Sequence, residues 1–355
     1  MISVAKKISF RFVLILIIII GIIYWGIQDR YLYISGQTMG TVYRITVKLP
    51  RWQLKFKVKH QIDTRLKGLS KSMSTYDLNS EISKFNQHDH SPFKISADFY
   101  EVLKYSNDVY AQSKGAWDPT SYPLITIWQD WINSRNKSMP RQREIKQAKN
   151  KIGWHKLKLL GSNHIQKTQS YLQLDLSSIA KGYGVDQVAQ LLIGLGSNDY
   201  LVEIGGEIAV RGNNPNGKNW QMGIELPQYD REQAVFGVIS LDSNMAMASS
   251  GSYRQYREFM GERFSHIIDP RTGYPSKSKV IGVTVVSPKC VVADGLSTAL
   301  MVLTIDEGIK MIKKFPESSA LFFIILENGE LQTRYTKKFP SINFKLNKKQ
   351  NKVEK

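Results

Sequence analysis

Between residues 200 and 249 the chain breaks into short β-patterned segments separated by turns. The segments are 200–204, 207–211, 220–226, 235–241 and 245–249, too short and too evenly spaced by turn residues to be helices. Helix-patterned stretches flank them. Residues 54–73 carry Val58, Ile62, Leu66 and Leu69 at three-to-four spacing, an amphipathic helix. Ser96 is placed to cap a helix through Ser113, with Phe99, Val102, Leu103 and Val109 as its buried stripe. Further helices are expected from the 175–184 loop to about Leu195 and from about Val292 to Leu303, and a helix–strand pair over 306–326. Strands are expected at 39–47, 171–174 and 280–287. Trp128, Trp131 and the basic run 133–151 read as a surface helical excursion. No repeat and no Pro- or Gly-rich linker divides this pattern. The sequence predicts one mixed α/β or α+β domain over residues 35–340, followed by a basic, disordered tail at 341–355.

The first 34 residues have a different character. Lys6, Lys7 and Arg11 precede an apolar run, 12–27, broken only by glycines. The run is at the short end of the ~17–25 residues a membrane helix needs. Tyr24, Trp25, Tyr31 and Tyr33 cluster at its far end, as aromatic residues do at a bilayer interface. The leading positive charges predict an inside N-terminus and a domain on the outer side. No small-x-small cleavage site and no cysteine for lipidation follows, which favours an uncleaved signal anchor over a signal peptide.

The formal net charge of +19 suits nucleic acid, an anionic membrane surface or an acidic ligand. No RNP-like motif, Cys/His finger spacing or helix-turn-helix pattern is present, so a nucleic-acid partner is not expected. Cys290 is the single cysteine, which excludes an intramolecular disulfide and a cysteine-rich metal site. His60, His88, His90, His155 and His164 show no metal-like spacing and are assigned to the surface.

Four loops carry candidate chemistry. Asp175 stands before a helix start beside Ser177 and Ser178; exposed backbone groups there can face an anion or lend carbonyls to a cation, and an ordinary capped helix start reads equally well. Asp294 and Thr298 are four apart, which puts a carboxylate and a hydroxyl on one helix face. Such hard oxygens suit Mg²⁺ or Ca²⁺, although an aspartate in a first helical turn is also favourable for the helix dipole alone. Gly205-Gly206-Glu207 is either a plain β-turn or a close backbone approach. His266 and Asp269 sit at the end of an apolar run, where Asp269-Pro270 and Thr272-Gly273 make a sharp turn.

The order of the loops is more specific than any one of them. MGTVYRITV, STYDLNSEISKFN, WDPT, DLSSIAKGYGVDQV, VEIGGEIAVRG, ASSGSYRQY, HIIDPRTGYP and ADGLSTALMVL follow one another along the chain. This series resembles the ApbE-like family of FAD:protein FMN transferases from Met39 to about Tyr335. The resemblance implies a flavin-binding α/β domain tethered to the outer face of the bacterial cytoplasmic membrane. It also implies FAD and Mg²⁺, transfer of FMN to a threonine or serine hydroxyl of a target protein, and release of AMP. Family targets carry an Asp/Ser-Gly-Ala/Ser-Thr type of stretch, often in membrane redox complexes. Position by position, Met39, Tyr76, Ala116, Trp117, Asp118, Asp175, Lys181 and Ile268 match places that line the FAD site. Ser178, through its backbone or hydroxyl oxygen, matches the metal site with Asp294 and Thr298, with Ser297 nearby. His266 matches a candidate acid–base position, and Asp294 is a second candidate where its metal role allows.

Three departures stand out. The family often has Gly-Gly where this chain has Ser177-Ser178. Ser252 replaces a common acid, so no role depending on that carboxylate carries over. Trp117 stands where a smaller residue is common. Two other readings use the same residues: an Mg²⁺-dependent FAD pyrophosphatase giving FMN and AMP, and a non-catalytic flavin-binding protein on the membrane.

Overall fold

The computed structural model describes residues 2–134, 138–228 and 234–344, with side chains from Phe12 onward. Helix α1 spans Ile2–Ile27, and the hairpin β1 (Asp29–Thr38) and β2 (Thr41–Pro50) follows. Next come α2 (Lys55–Met73), α3 (Glu81–Gln87), β3 (Phe93–Lys94), α4 (Ala97–Ser113), α5 (Tyr122–Asn133) and α6 (Gln142–Lys151). Strands β4 (Leu157–Gly161) and β5 (His164–Lys167) lead to α7 (Ala180–Gly194). A β-rich stretch contains β6 (Tyr200–Ile204), β7 (Glu207–Arg211), β8 (Trp220–Glu225), β9 (Val235–Leu241), β10 (Met245–Gly251), β11 (Tyr256–Phe259), β12 (Glu262–Ser265), β13 (Ile268–Asp269), β14 (Tyr274–Pro275) and β15 (Val280–Ser287). The chain continues through α8 (Cys290–Leu300), α9 (Ile305–Ile312), β16 (Ser319–Ile325), β17 (Leu331–Tyr335) and β18 (Ile342–Phe344).

The central sheet runs in the order β1-β2-β6-β7-β10-β15-β16-β17. Each neighbouring pair in it is antiparallel, so the mixed domain is of the α+β kind. Its two faces are read directly from alternation along β16. Ala320, Phe322 and Ile324 face the large core with α4 and α8, while Leu321 and Phe323 face the small sheet β18-β9-β8. A separate apolar cluster under β1, β2 and β6 is closed by Val58, Ile62 and Leu66 of α2 and Val185, Val188 and Leu192 of α7.

Helices α7 and α8 hold each other at their N-terminal ends. Asp186 of α7 accepts the Cys290 and Val291 N–H groups, 2.9 Å each, that begin α8. Asp294 of α8 accepts the Gly182 N–H at 2.8 Å, one of the first donors of α7. Each carboxylate satisfies donors the other helix leaves orphaned. The helices can meet so closely because position 182 is glycine: a Cβ there would lie 2.4 Å from the Cys290 carbonyl oxygen.

Several expectations change. Met39 belongs to a turn rather than a strand. Met39 and Gly40 form the two-residue loop between Thr38 and Thr41, both with positive φ, 48° and 72°. Residues 171–174 pair with no strand. The Asn86 side chain takes both the N–H and the C=O of Leu174, and Lys167 Nζ donates to Leu172 O. Trp128 and Trp131 are fully buried, in a cluster where α5 and α6 pack on Phe264 and Ile268. Asp29–Thr38 is a sheet strand, so the sheet begins inside the stretch assigned to the N-terminal segment. Residues 342–344 pair with β9, and the rest of the expected tail lies outside the described residues. Among the described residues no helix is long and apolar enough to cross a membrane. The uncharged apolar run within α1, 12–27, is itself shorter than the roughly 20 residues a span requires.

Asp186→Ala should cost about 1–3 kcal/mol in chemical denaturation, since two buried N–H groups lose their acceptor. Burial raises the Asp186 pKa from 3.8 to about 6, against the pull of those N–H groups. The native state therefore holds a proton that the unfolded chain releases. This group's contribution to stability falls as pH rises from 3.8 to about 6, and Asp186→Asn should remove that slope.

Candidate functional site

One cavity of about 720 Å³ opens at the end of the sheet where the β1–β2 turn, the 205–206 turn and the end of β10 meet. Met39, Tyr76, Ala116, Trp117, Asp118, Asp175, Ser178, Lys181, His266, Ile268, Asp294 and Thr298 all line it. The residues singled out in sequence thus converge from six separate segments of the chain. Ser297 does not line it. That side chain is fully buried and ties Ser250 of β10 to the Asp294 carbonyl, at 2.8 and 2.9 Å.

Local chemistry explains each placement. Met39 is held in the left-handed region by the two-residue turn, and its methyl group reaches within 3.2 Å of where a Cβ on Gly184 would be. The 205–206 turn approaches Thr41 closely: a Cβ on Gly205, whose φ is +61°, would meet Thr41 at 2.8 Å. The Asp118 carboxylate ties its own loop to the backbone at Trp154. It accepts from Thr120 N and Oγ1 at 2.8 and 2.7 Å and from Trp154 N at 3.3 Å. Asp175 accepts from Ser177 N at 2.8 Å and from the Ser177 hydroxyl. Burial raises the pKa of both acids, and these donors act against the rise. Asp269 shapes a turn: its carbonyl accepts the Gly273 N–H at 2.8 Å and its carboxylate pairs with Arg271.

Two of the sequence departures answer each other. Trp117 Nε1 donates to Ser178 Oγ at 2.9 Å, and Ser177 closes on Asp175. The larger indole and the serine therefore form one interlock across the cavity wall. Ser252, the third departure, bonds through its N–H to Ile281 O at 3.0 Å.

A buried charge group forms the cavity floor. Asp294 and Glu207 are 3% and 2% exposed, and Lys181 Nζ donates to Glu207 Oε1 at 2.5 Å. Burial raises the pKa of both acids; for Glu207 the Asp294 charge adds to the rise, and Lys181 opposes it in each. Burial also disfavours the Lys181 ammonium, but Asp294 and Glu207 together hold its pKa above the ordinary value. Glu207 Oε2 has no hydrogen-bond partner.

The oxygen set around Asp294 fits a hard divalent cation. Gly182 N–H, which would close a helical bond to the Ser178 carbonyl, goes to Asp294 Oδ2 instead. Among the described residues no backbone donor reaches that carbonyl. An open carbonyl, a carboxylate and the Thr298 hydroxyl are the oxygen donors Mg²⁺ or Ca²⁺ takes. No group of three or more His, Cys, Asp or Glu side chains suited to a metal occurs among the described residues.

His266 stands between β12 and β13, braced from behind by the cluster of Trp128, Trp131, Phe264 and Ile268. Its Nδ1 bonds the Gln255 carbonyl at 3.0 Å, so Nδ1 carries the proton and Nε2 is free to accept one. Burial lowers its pKa below 6.5; the Gln255 carbonyl opposes this, and the charges of Arg254 and Lys181 add to it.

A family model described as "ApbE family" matches residues 39–323. The chain belongs to the ApbE family. Among similar proteins, the FAD:protein FMN transferase of Haemophilus influenzae is 38% identical over 89% of this chain and 92% of its own length. The Vibrio cholerae protein of the same description is 40% identical over 78% and 82%. Two solved structures are also alike. Flavin transferase ApbE from Vibrio cholerae has a TM-score of 0.79 at 35% identity, covering 87% of this chain and 98% of that one. The apo flavinyl transferase ApbE of Pseudomonas stutzeri has a TM-score of 0.78 at 33% identity, covering 87% and 96%.

Within this ApbE-family cavity, Glu207 is the residue that sequence reasoning passed over. It was read as the flank of a glycine turn. The available signal was a glutamate at an inward position of a strand whose burial alternates, with a lysine elsewhere needing a counter-ion. Arg254, Gln255, Ser250 and Thr75 also line the cavity; they lie within the quoted motifs but were given no role there.

The His266 imidazole should titrate below 6.5 when followed by NMR. Arg254→Gln removes a nearby positive charge and should move that titration upward. An unchanged or lower value in the variant would contradict this electrostatic account.

Proposed function

We propose that this protein transfers the FMN half of FAD to a threonine or serine hydroxyl of a target protein, releasing AMP, with Mg²⁺ as the metal. The observation that carries this reading is one cavity lined together by the oxygen-bearing residues Ser178, Asp294 and Thr298, by the His266 imidazole and by an apolar wall. The FAD:protein FMN transferase relatives support it.

In this reading Met39, Tyr76, Ala116, Trp117 and Ile268 offer the apolar and aromatic surface that suits a flavin ring. Asp118 and Asp175 set the loops that shape the cavity, since their carboxylates are spent on local donors. Lys181 presents its ammonium to a pyrophosphate, held in place by Glu207. Ser178, Asp294 and Thr298 would hold Mg²⁺, which when bound neutralises charge on the phosphoryl oxygens. The acceptor Oγ forms a bond to the FMN-side phosphorus as the bond from that phosphorus to the bridging oxygen breaks, and AMP departs with that oxygen. His266 Nε2 takes the hydroxyl proton, a role its neutral form at physiological pH permits.

The proposed location is the outer face of the bacterial cytoplasmic membrane, with α1 as the anchor. What supports it is a helix whose side chains from Phe12 to Ile27 stand exposed, with Ile and Leu predominant, behind Lys6, Lys7 and Arg11. The target is a membrane redox protein in this reading.

Full-length protein incubated with FAD, Mg²⁺ and a peptide carrying an Asp-Gly-Ala-Thr stretch should add FMN to the peptide and release AMP, both followed by mass spectrometry. AMP and free FMN with an unmodified peptide would make the protein a pyrophosphatase, and intact FAD would remove catalysis altogether. Asp294→Ala should abolish Mg²⁺-dependent transfer; turnover at the parent rate would sink its metal role. His266→Ala should lower kcat by about 10²–10⁴-fold with little change in FAD affinity. A loss confined to FAD affinity would make His266 a binding residue instead.

A further inference from the structure

The end of the domain opposite the cavity carries a second organised surface. The β1–β2 ladder runs from Thr38↔Thr41 beside the cavity to Asp29↔Pro50 at the other end. Each strand is 10 residues long, which at ~3.4 Å per residue separates the two ends by about 30 Å. At the Pro50 end the chain turns directly against the C-terminus of α1. Arg51 N donates to Gln28 O at 2.9 Å and Trp52 N to Gly26 O at 3.1 Å. The Arg51 guanidinium lies 5.3 Å from the centre of the Trp25 ring.

This turn exposes large apolar side chains. Trp52, Leu54 and Phe56 are 59%, 40% and 67% exposed. They alternate with positive charge: Arg51, Lys55 and Lys57. Among the described residues neither Lys55 nor Lys57 pairs with a carboxylate. A run of exposed aromatic and aliphatic side chains is uncommon on a free surface and marks a contact region. Aromatic rings interleaved with lysine and arginine match the headgroup layer of an anionic bilayer, where rings enter the interface and cations meet lipid phosphates. The patch is continuous with the exposed Tyr24 and Trp25 at the end of α1.

We infer that Trp52, Leu54 and Phe56, with Arg51, Lys55 and Lys57, form a collar that rests on an anionic lipid surface and holds the cavity about 30 Å above it. The inference rests on the reading of α1 as the anchor and deepens it. Helix α1 passes into β1 with only Gln28 between them, so the turn at Arg51 and Trp52 is held close to the end of the anchor. The collar adds a second attachment, rigidly joined to the β1–β2 hairpin, so the cavity faces away from the membrane. The acceptor hydroxyl of a membrane-bound target must then project about 30 Å from the bilayer, on an extramembrane domain or an extended loop.

The test uses full-length protein in vesicles of phosphatidylcholine and phosphatidylglycerol in equal parts, with nitroxides on the upper acyl chains. A fluorophore is attached at one introduced cysteine, Gln53→Cys in the collar, Gln37→Cys near the cavity end, or Ile18→Cys in α1. Cys290 is fully buried and does not compete for the label. Emission should fall roughly twofold or more at positions 53 and 18 and stay unchanged at position 37. Adding Trp52→Ser and Phe56→Ser to the Gln53→Cys protein should abolish most of the quenching at 53 while leaving position 18 quenched. Quenching at 18 without quenching at 53 overturns the collar and leaves the anchor intact; that face would then belong to a protein partner. No quenching at 18 removes the anchor and the collar together. Equal quenching at 37 and 53 overturns the upright orientation. Quenching at 53 that is undiminished in phosphatidylcholine alone overturns the role of the basic residues.

Discussion

The close meeting of α7 and α8 at Gly182 is the contact on which the rest depends. Each helix begins on a carboxylate supplied by the other, Asp186 for α8 and Asp294 for α7. The exchange does more than satisfy orphan donors. Because the Gly182 N–H turns toward Asp294, the Ser178 carbonyl is left without a backbone donor among the described residues, in the cavity that Asp294 also lines. A device that joins two helices thus also leaves oxygen acceptors at residues that line the cavity. Any side chain at position 182 would push the Cys290 carbonyl and Asp294 away.

Around this contact the cavity is built from parts that are rigid for separate reasons. The β1–β2 turn fixes Met39, the Asp118 and Asp175 loops close on their own donors, and a satellite core of tryptophans backs the loop of His266. Lys181 is confined by Glu207 and Asp294, which keep it charged despite its burial. Trp117 and Ser178 show how departures from a family pattern can be accommodated as a pair. The indole fills space and its N–H finds an acceptor in the serine hydroxyl. Preorganisation of this kind lets polar groups face a ligand without rearranging first.

Much of the fold was legible because local rules dominate where elements are regular. Strands 200–204, 207–211, 235–241 and 280–287 coincide with the expected spans, and Ser96 caps its helix by accepting the Phe99 N–H. Expectations failed where a tertiary partner replaced a local one. Residues 171–174 have strand composition, but the Asn86 amide occupies the hydrogen bonds a neighbouring strand would have made. Trp128 and Trp131 sit beside a basic run, yet the hairpins after β10 cover them. Tyr31 and Tyr33 looked like part of an aromatic belt, but they lie in β1, whose partner strand could not be inferred from the segment alone.

The sequence by itself determined part of the membership of the cavity and most of the regular elements behind it. Periodicity, capping residues and the order of eight short motifs are properties of neighbouring residues, and they survive without coordinates. Only the tertiary structure decided which polar groups are free. Asp118 and Asp175 are spent on protein donors, Thr120 and Trp154 for the one and Ser177 and Thr75 for the other, Glu207 has an oxygen with no partner, and His266 keeps one nitrogen open. It also decided that Trp52, Leu54 and Phe56 remain uncovered. The reason is physical: a hydrogen bond or a buried face is a relation between distant segments, and a residue type records its capacity to bond but not the partner that uses it.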